Sequence, residues 1–213
     1  MTSSQRPRRI LHLVGSKGFA GSEQMVLNIA GAQQRAGMQV SLALRKGSLA
    51  AERARVLSIP VATEGLGTLD GLRALIHLIR RGQADVLHTH LTKAAYFAWI
   101  ASLLTRVPVV VHAHVYNKDP VFRWAARRGR MVAVSESARE YYRGIGVSEA
   151  RIVVVPNGSD IERAPGAELS QVQAKAVLAA ELDLDPSEPW VLHAGRFTRQ
   201  KGQDLLASAA PAI

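Results

Sequence analysis

Two pairs of histidines are the side chains with the most chemical potential in this sequence. His88 and His90 stand in "HTH", and His112 and His114 stand in "HAH", each pair ending an apolar run. On a β-strand, the i, i+2 spacing places both rings of a pair on one face. A metal site would need converging ligands from neighbouring strand ends and usually a carboxylate or a fourth ligand. Few acidic residues lie nearby in sequence, so we expect one histidine of each pair to be packed and the other to face a cleft, without metal.

A glycine-rich loop near the N-terminus is a second candidate. The segment "GSKGFAGS", residues 15–22, follows an apolar run and leads into an amphipathic stretch. Free backbone amides and the positive end of a helix suit phosphate or another anion. The glycine spacing matches neither the dinucleotide motif nor the P-loop, so a flexible turn with ordinary capping is the alternative. We expect Ser22 to be the N-cap of this helix and Gly37 to end it.

A basic loop near the C-terminus carries Arg196 and Lys201 in "GRFTRQKG" and leads into a helix-like segment. Two cations beside a helix N-terminus would form an anion clamp suited to a diphosphate. The alternative is a solvated basic loop. Because the sequence contains neither G-x-S-x-G nor H-E-x-x-H, covalent catalysis and a zinc protease site find no support. Ser135 is expected to be either a helix N-cap or a residue of a backbone turn.

These candidates follow apolar runs that alternate with helical patterns. The strand-like runs cover residues 10–14, 40–44, 85–90, 108–114, 130–135 and 151–158, with another at 190–194. Continuous Val, Ile and Leu runs separated by helices predict buried parallel strands, so the expected fold is α/β with a Rossmann-like parallel sheet. We also expect Asp70 to cap the helix that follows it. In such sheets, ligands bind beyond the carboxyl ends of the strands.

Composition sets limits on the rest. The 213 residues include no cysteine, which excludes disulfides and thiolate metal sites, and the net charge is +10. No apolar run approaches the roughly 20 residues of a membrane-spanning helix, and no secretory signal is evident. The positive charge favours anionic partners. A cluster formed by Arg123, Arg127, Arg128 and Arg130 suits either anionic lipid headgroups or a solvated helix face, and we expect no nucleic-acid binding.

Six ordered segments together resemble retaining glycosyltransferases of family 4, which have the GT-B architecture. The segments are "GSEQMVLNIAGAQQRAGMQV", "ADVLHTH", "VPVVVHAHV", "VAVSESARE", "RIVVVPNGSDI" and "VLHAGRFTRQKGQDLL". The resemblance implies two Rossmann-like domains with a cleft between them. It divides the chain into an acceptor domain at 1–160, a linker with one helix at 161–188 and the incomplete beginning of a donor-binding domain at 189–213.

The resemblance also implies roles for individual residues. Arg196 and Lys201 would hold the donor diphosphate, and His114 would contact the transferred sugar as the catalytic-site histidine. The loop at Gly21 would approach the donor phosphates or the acceptor. The remaining cleft or acceptor residues would be Lys17, Ser22, His90 and Asn157. Family members act without a metal, so the expected ligands are a nucleotide sugar and a glycan or lipid-linked acceptor, with no cofactor.

The sequence departs from the family pattern in one respect: no glutamate follows Glu188, whereas the family has a downstream pair of glutamates. We therefore expect this chain alone to be inactive or nearly so. The expected function is hexose transfer in cell-envelope glycan or lipopolysaccharide biosynthesis, in the cytoplasm with peripheral contact at an anionic membrane. A non-catalytic glycan or lipid-head module, or half of a split enzyme, is the alternative. A sugar-nucleotide epimerase of the same architecture is disfavoured by the "NGSD" and "AGRFTRQKG" segments.

Overall fold

The computed structural model describes residues 8–158 and 166–212. The first of these segments builds a seven-stranded sheet in the order β3-β2-β1-β4-β5-β6-β7, and all neighbouring strands pair in parallel. The strands are β1 Arg9–Val14, β2 Gln39–Leu44, β3 Val61–Thr63, β4 Val86–His90, β5 Val109–Ala113, β6 Gly129–Ala133 and β7 Ile152–Val154. The predicted Rossmann-like α/β class is thereby confirmed.

Helices connect the strands and continue beyond them. They are α1 Gly21–Arg35, α2 Leu49–Val56, α3 Leu69–Arg80, α4 Thr92–Thr105, α5 Val121–Ala126, α6 Glu136–Gly144, α7 Gln171–Leu182 and α8 Gln203–Ala209. Among the residues that the structure describes, no helix is both long enough and apolar enough to cross a bilayer.

Two apolar layers cover the central strands from opposite sides. Alternate residues of β1 illustrate the division: Leu11 and Leu13 belong to the larger core with α3 to α6, and Val14 belongs to a smaller core with α1 and α2. Burial on both faces explains why these strands read as continuous apolar runs. His12 lies between Leu11 and Leu13 on the face that packs toward α1, where it is fully buried.

The helix starts differ from two of the predicted caps. Ser22 lies inside α1, because the helix begins at Gly21 after the N-cap Ala20. Asp70 likewise lies inside α3, where the Thr68 hydroxyl accepts a hydrogen bond from Gly71 N at 3.0 Å. Both predictions were wrong because each helix begins two residues before the predicted start, at Gly21 rather than Glu23 and at Leu69 rather than Gly71.

Two other predicted helix boundaries are confirmed. Ser135 caps α6 by accepting a hydrogen bond from Ala138 N at 3.1 Å. Gly37 follows the end of α1 with a φ of +80°, a left-handed conformation that glycine adopts without strain.

The chain divides into two compact units, Met1–Asp160 and Ile161–Ile213. The second contains α7 and α8. The strand predicted at Trp190–Ala194 is not formed, because these residues have no partner strand in the described part of the chain. The side chains of Val191 and Leu192 are consequently open to solvent, 65% and 87% exposed. The assignment of residues 161–188 to a linker and 189–213 to the start of a second domain stays a prediction.

Candidate functional site

Five of the seven histidines gather on the face of the sheet that packs toward α1. They are His12 of β1, His88 and His90 of β4, His112 of β5 and His114 just after β5. The strand register places His12 beside His88 and His90 beside His112. The rings of His112 and His114 stack with centroids 4.2 Å apart. The prediction that both rings of each pair share a face is confirmed.

Hydrogen bonds join three of these rings into a chain that ends on α1. Gln33 Oε1 lies 2.7 Å from His12 Nε2, and His12 Nδ1 lies 3.0 Å from His90 Nε2. His90 Nδ1 in turn lies 2.9 Å from His114 Nε2. The carboxamide of an α1 residue is therefore connected to a histidine at the carboxyl edge of the sheet. We name the set Gln33, His12, His90 and His114 the histidine chain.

The four paired histidines differ in exposure, and the difference corrects one prediction. His88 and His90 are both buried, and His90 is 0% exposed. The prediction that His90 lines a cleft was therefore wrong. His90 instead contacts His114 from the interior of the protein. In the second pair, His112 is buried and His114 is only half-buried, as expected for one packed ring and one ring nearer the surface.

Burial keeps these imidazoles neutral at physiological pH. Desolvation lowers the pKa of His12 to about 4, that of His112 to about 3 and that of His114 to about 4. The pKa values of His88 and His90 are lowered well below the usual range, first by burial and then by the neighbouring imidazoles. Each ring therefore carries one N–H donor and one acceptor nitrogen.

Two overlapping sets of these histidines have the donor chemistry of a transition-metal site. His12, His88 and His90 form one set, and His90, His112 and His114 form the other, with ligand atoms within 4.8 Å of one another in each. Imidazole nitrogen suits zinc, copper, iron and nickel. However, the short contacts along the histidine chain need a proton between each pair of nitrogens, and a metal would have to replace those protons. The absence of a metal stays a prediction.

Glu23 organises the glycine-rich loop beside this cluster. It is buried in the first turn of α1 and accepts hydrogen bonds from Ser16 Oγ, from Ala20 N at 2.9 Å and from Ser22 Oγ at 2.9 Å. Its negative charge also raises the pKa of His114, partly offsetting the effect of burial. The carboxylate thus connects the loop both to α1 and, electrostatically, to His114.

The predicted loop residues occupy different environments. Gly21 is exposed, and a Cβ there would meet no atom within 4 Å, so a ligand has room to approach the first turn of α1. Lys17 is also exposed, at the carboxyl edge of the sheet. Ser22 is half-buried and donates to Glu23. Gly15, in contrast, is confined, because a Cβ would lie 2.9 Å from Ala94 N.

Asn157 lies apart from the histidines. It is exposed and follows β7, the edge strand, whereas the histidines lie on β1, β4 and β5 or next to them. Two strand spacings, about 10 Å, separate β5 from β7. The structure therefore supports only a peripheral position for Asn157 on the same edge of the sheet.

Arg196 and Lys201 lie in the second unit, which is described by itself. The backbone of their loop closes through a 2.9 Å hydrogen bond from Gln203 Nε2 to Arg196 O. Gly202, with a φ of +68°, ends a 3₁₀ turn and begins α8. Both cations are exposed, and neither forms an ion pair within the described residues. They are thus on one short loop, as the spacing predicted.

The arginine cluster does not form a single helix face. The guanidinium of Arg128 donates to Ser102 Oγ and Ser102 O, both at 3.1 Å. Arg123 is half-buried, whereas Arg127 and Arg130 are exposed on either side of the α5–β6 junction. Only Arg127 and Arg130 of the four are therefore well placed for an external anionic surface.

Comparison with known proteins decides the family. The model of Glycosyltransferase Family 4 matches residues 19–163, which is more than half of the chain. The chain belongs to glycosyltransferase family 4. The match covers α1, Glu23 and four of the clustered histidines, so the site described above lies almost wholly within the region that defines this glycosyltransferase family.

Individual relatives are longer than this family 4 chain. It is 34% identical over 149 residues to the D-inositol 3-phosphate glycosyltransferase of Nocardia farcinica, covering 61% of this chain and 32% of the relative. It is 25% identical over 178 residues to the UDP-Gal:alpha-D-GlcNAc-diphosphoundecaprenol alpha-1,3-galactosyltransferase of Escherichia coli, covering 75% of this chain and 45% of the relative. The chain thus spans half or less of either relative.

The fold of this family 4 chain is also found in solved glycosyltransferase structures. The crystal structure of Anabaena Alr3699/HepE in complex with UDP and glucose superposes with a TM-score of 0.73 at 21% identity. The superposition covers 96% of this chain and 57% of that structure. At this identity the similarity establishes the shared fold, and the prediction of a GT-B-type N-terminal sheet is confirmed.

Three residues central to the site were not identified from sequence alone. Glu23 carried one usable signal, a carboxylate in the first turn of a helix after a glycine-rich loop, where it can accept from free backbone amides. His12 and Gln33 carried none, because a histidine within an apolar strand and a glutamine on a helix are usual in ordinary sheets and helices.

Proposed function

We propose that the whole protein is a retaining hexosyltransferase that moves a sugar from a nucleotide-sugar donor to a cell-envelope glycan or lipid-linked acceptor, without a metal ion. The family assignment supports transfer of a sugar. The names of the relatives, one acting on an inositol phosphate and one on a diphosphoundecaprenol-linked sugar, support a phosphorylated acceptor of small or lipid-linked type.

The observation that carries the proposal is the position of His114. It is the half-buried end of the histidine chain, at the carboxyl edge of the sheet and under the electrostatic influence of Glu23. Ligands of open parallel sheets bind at this edge. A neutral imidazole there can exchange hydrogen bonds with a sugar hydroxyl, and the nearby first turn of α1 offers backbone amides to an anion.

The donor diphosphate is assigned to the basic loop of the second unit. Arg196 and Lys201 are exposed cations on a loop that enters α8. In the transferase, they would neutralise the negative charge that grows on the departing nucleotide diphosphate, which is electrostatic rather than covalent catalysis. We propose that this loop alone holds a donor too weakly for turnover, and hence that the 213-residue chain is inactive or nearly so.

The experiment that tests the function compares this chain with a longer form carrying the rest of the family's second domain. We expect sugar transfer from a nucleotide sugar by the longer form, and a loss of roughly 10²- to 10³-fold in kcat for His114→Ala, the scale of losing one transition-state contact. His77→Ala removes an exposed histidine outside the cluster and should leave kcat unchanged. An unchanged kcat in His114→Ala would contradict the assigned site.

Calorimetry of the 213-residue chain tests the second part of the proposal. We expect no measurable heat of binding with UDP-glucose at millimolar concentration. Micromolar affinity for the nucleotide sugar would overturn the proposal that the chain alone is inactive.

A further inference from the structure

We propose that Gln33, His12 and His90 are positioning residues that fix which nitrogen of His114 carries the proton, leaving Nδ1 of His114 as a hydrogen-bond acceptor for a substrate hydroxyl. The inference rests on the proposed function, because it assigns the chemistry of the contact between His114 and the sugar. The three positioning residues act through His114, and two of them, His12 and His90, are fully buried.

Gln33 sets which atom donates and which accepts in each hydrogen bond of the histidine chain. Its carboxamide oxygen faces His12 Nε2 at 2.7 Å, and a carbonyl oxygen can only accept a hydrogen bond. His12 Nε2 must therefore carry the proton. In a neutral imidazole the second nitrogen is then an acceptor, so His12 Nδ1 accepts from the proton on His90 Nε2 across 3.0 Å.

The same rule, one proton on each neutral imidazole, also fixes the donor of the last hydrogen bond, which reaches His114 at the carboxyl edge of the sheet. Because His90 Nε2 is the donor, His90 Nδ1 has a lone pair and accepts from His114 Nε2 across 2.9 Å. His114 is thereby held in the Nε2–H form. Within the described residues, no hydrogen bond reaches His114 Nδ1, and this nitrogen presents a lone pair.

Each ring of the histidine chain carries one proton, and the surroundings favour this neutral form. Burial opposes the charged form of His12, His90 and His114. His88 of β4 and His112 of β5 lie beside the histidine chain, and their imidazoles further lower the pKa of His90. Glu23 of α1 is the carboxylate that acts on His114 and favours its charged form. The neutral rings of His12 and His90 therefore determine which nitrogen of His114 is protonated, and no net charge moves along the histidine chain.

If His114 Nδ1 is an acceptor, it favours a ligand that places a hydrogen-bond donor next to this nitrogen. A sugar hydroxyl can donate to this nitrogen, whereas an ether oxygen, a carboxylate or a fluorine at the same position cannot. The histidine chain also removes the alternative tautomer, in which His114 Nδ1 would be a donor and would favour a carbonyl or phosphate oxygen. The predicted partner is therefore a neutral hydroxyl group of the substrate.

The test measures tautomers directly in the 213-residue chain by long-range ¹H–¹⁵N NMR of histidine side chains at pH 7.5. In the wild type, we expect His12, His90 and His114 all to be in the Nε2–H form. Gln33→Met removes the acceptor that sets the direction at nearly unchanged volume, and we expect the His114 signals to shift toward a mixture of both tautomers. Gln33→Glu keeps an acceptor at this position and should retain the wild-type tautomers.

The matched control is Gln34→Met, which changes the neighbouring residue of α1 that does not belong to the histidine chain. It should leave the signals of His12, His90 and His114 unchanged. A wild-type His114 with the proton on Nδ1, or a Gln33→Met spectrum identical to the wild type, would overturn the inference. Tight Zn²⁺ binding that removes the ring N–H signals of the purified chain would also overturn it. Since the spectra need no substrate, a failed transfer assay would refute the proposed function without changing this result.

Discussion

Glu23 accepts a hydrogen bond of 2.9 Å from the backbone nitrogen of Ala20, the residue that precedes α1. The same carboxylate also accepts from the hydroxyls of Ser16 and Ser22. One buried charge therefore satisfies three donors and fixes the path of the loop that follows β1. The loop is consequently held near the His114 edge of the sheet by a single side chain.

Replacing this carboxylate with an amide should loosen the loop and change His114. Gln at position 23 offers one acceptor oxygen and places an NH₂ group toward the remaining donors, so we expect Glu23→Gln to lower the free energy of unfolding by about 1–3 kcal/mol. Because the negative charge raises the pKa of His114, that pKa should fall further below about 4. Urea denaturation and histidine NMR measure the two effects.

Glu52→Gln is the control for this substitution, since it removes an exposed carboxylate in the first turn of α2. It should change neither the stability by more than about 0.5 kcal/mol nor the His114 pKa. Equal effects of the two substitutions would contradict the assigned role of Glu23.

Gly15 should tolerate no side chain. A Cβ at this position would lie 2.9 Å from both Ala94 N and the Cβ of Lys93, in the first turn of α4. We expect Gly15→Ala to force the loop away from α4 at a cost of about 1–3 kcal/mol, measured by thermal or urea unfolding. Gly18→Ala is the matched control in the same loop, because a Cβ there meets no atom within 4 Å. Similar losses in both variants would show that the close approach is not the cause.

The fold could be predicted from sequence because its signal is repeated along the chain. Runs such as the three valines at 109–111 are apolar without interruption and separated by helical stretches, which leaves few alternatives to a parallel sheet. The short strand Val61–Thr63 and helix α2 gave weaker patterns and were not identified. Trp190–Ala194 has the composition of a strand, but no strand among the described residues lies beside it, and composition alone cannot supply one.

The site was only partly predictable. Periodicity correctly placed His88 with His90 and His112 with His114, because a strand has a fixed two-residue repeat. It could not show that His12 joins them, since this depends on the register between β1 and β4. It also could not show that Gln33, 21 residues away along the chain, meets His12, because that contact arises from the packing of α1 on the sheet.

The buried histidines should make the protein sensitive to acid well above the range in which carboxylates titrate. In the unfolded chain a histidine has a pKa near 6.5, whereas in the folded chain the pKa of His12 and His114 is about 4 and that of His112 about 3. Between these values the unfolded state binds more protons, so stability is fully present above about pH 6.5 and falls as the pH is lowered toward 4.

The expected slope is up to about 1.4 kcal/mol per pH unit for each such histidine, measured by urea denaturation at a series of pH values. His112→Thr removes one of these groups and should reduce the slope between pH 6 and 4. His77→Gln removes an exposed histidine and should leave the slope unchanged. A flat profile for the wild type over this range would show that the cluster is not neutral and buried in the folded state.

Contact with an anionic membrane, which the proposed lipid-linked acceptor would require, should depend on the exposed arginines near the α5–β6 junction. Arg127 and Arg151 line one cavity of about 320 Å³ with Arg123, and Arg130 lies close by, with its guanidinium against Ala150 O. An exposed arginine near an anionic surface contributes about 1 kcal/mol. Hence the double substitution Arg127→Gln and Arg130→Gln should weaken vesicle binding by about 30-fold, the equivalent of 2 kcal/mol.

Sedimentation with phosphatidylglycerol vesicles measures this binding, and vesicles of phosphatidylcholine give the neutral reference. Lys46→Gln with Lys118→Gln is the matched control, because it removes the same charge from exposed positions at the opposite, carboxyl edge of the sheet. Since salt screens charges separated by more than about 8–10 Å near physiological ionic strength, wild-type binding should weaken steeply as salt is raised. Binding that is equal on both lipids, or insensitive to salt, would mean that these arginines are an ordinary solvated surface.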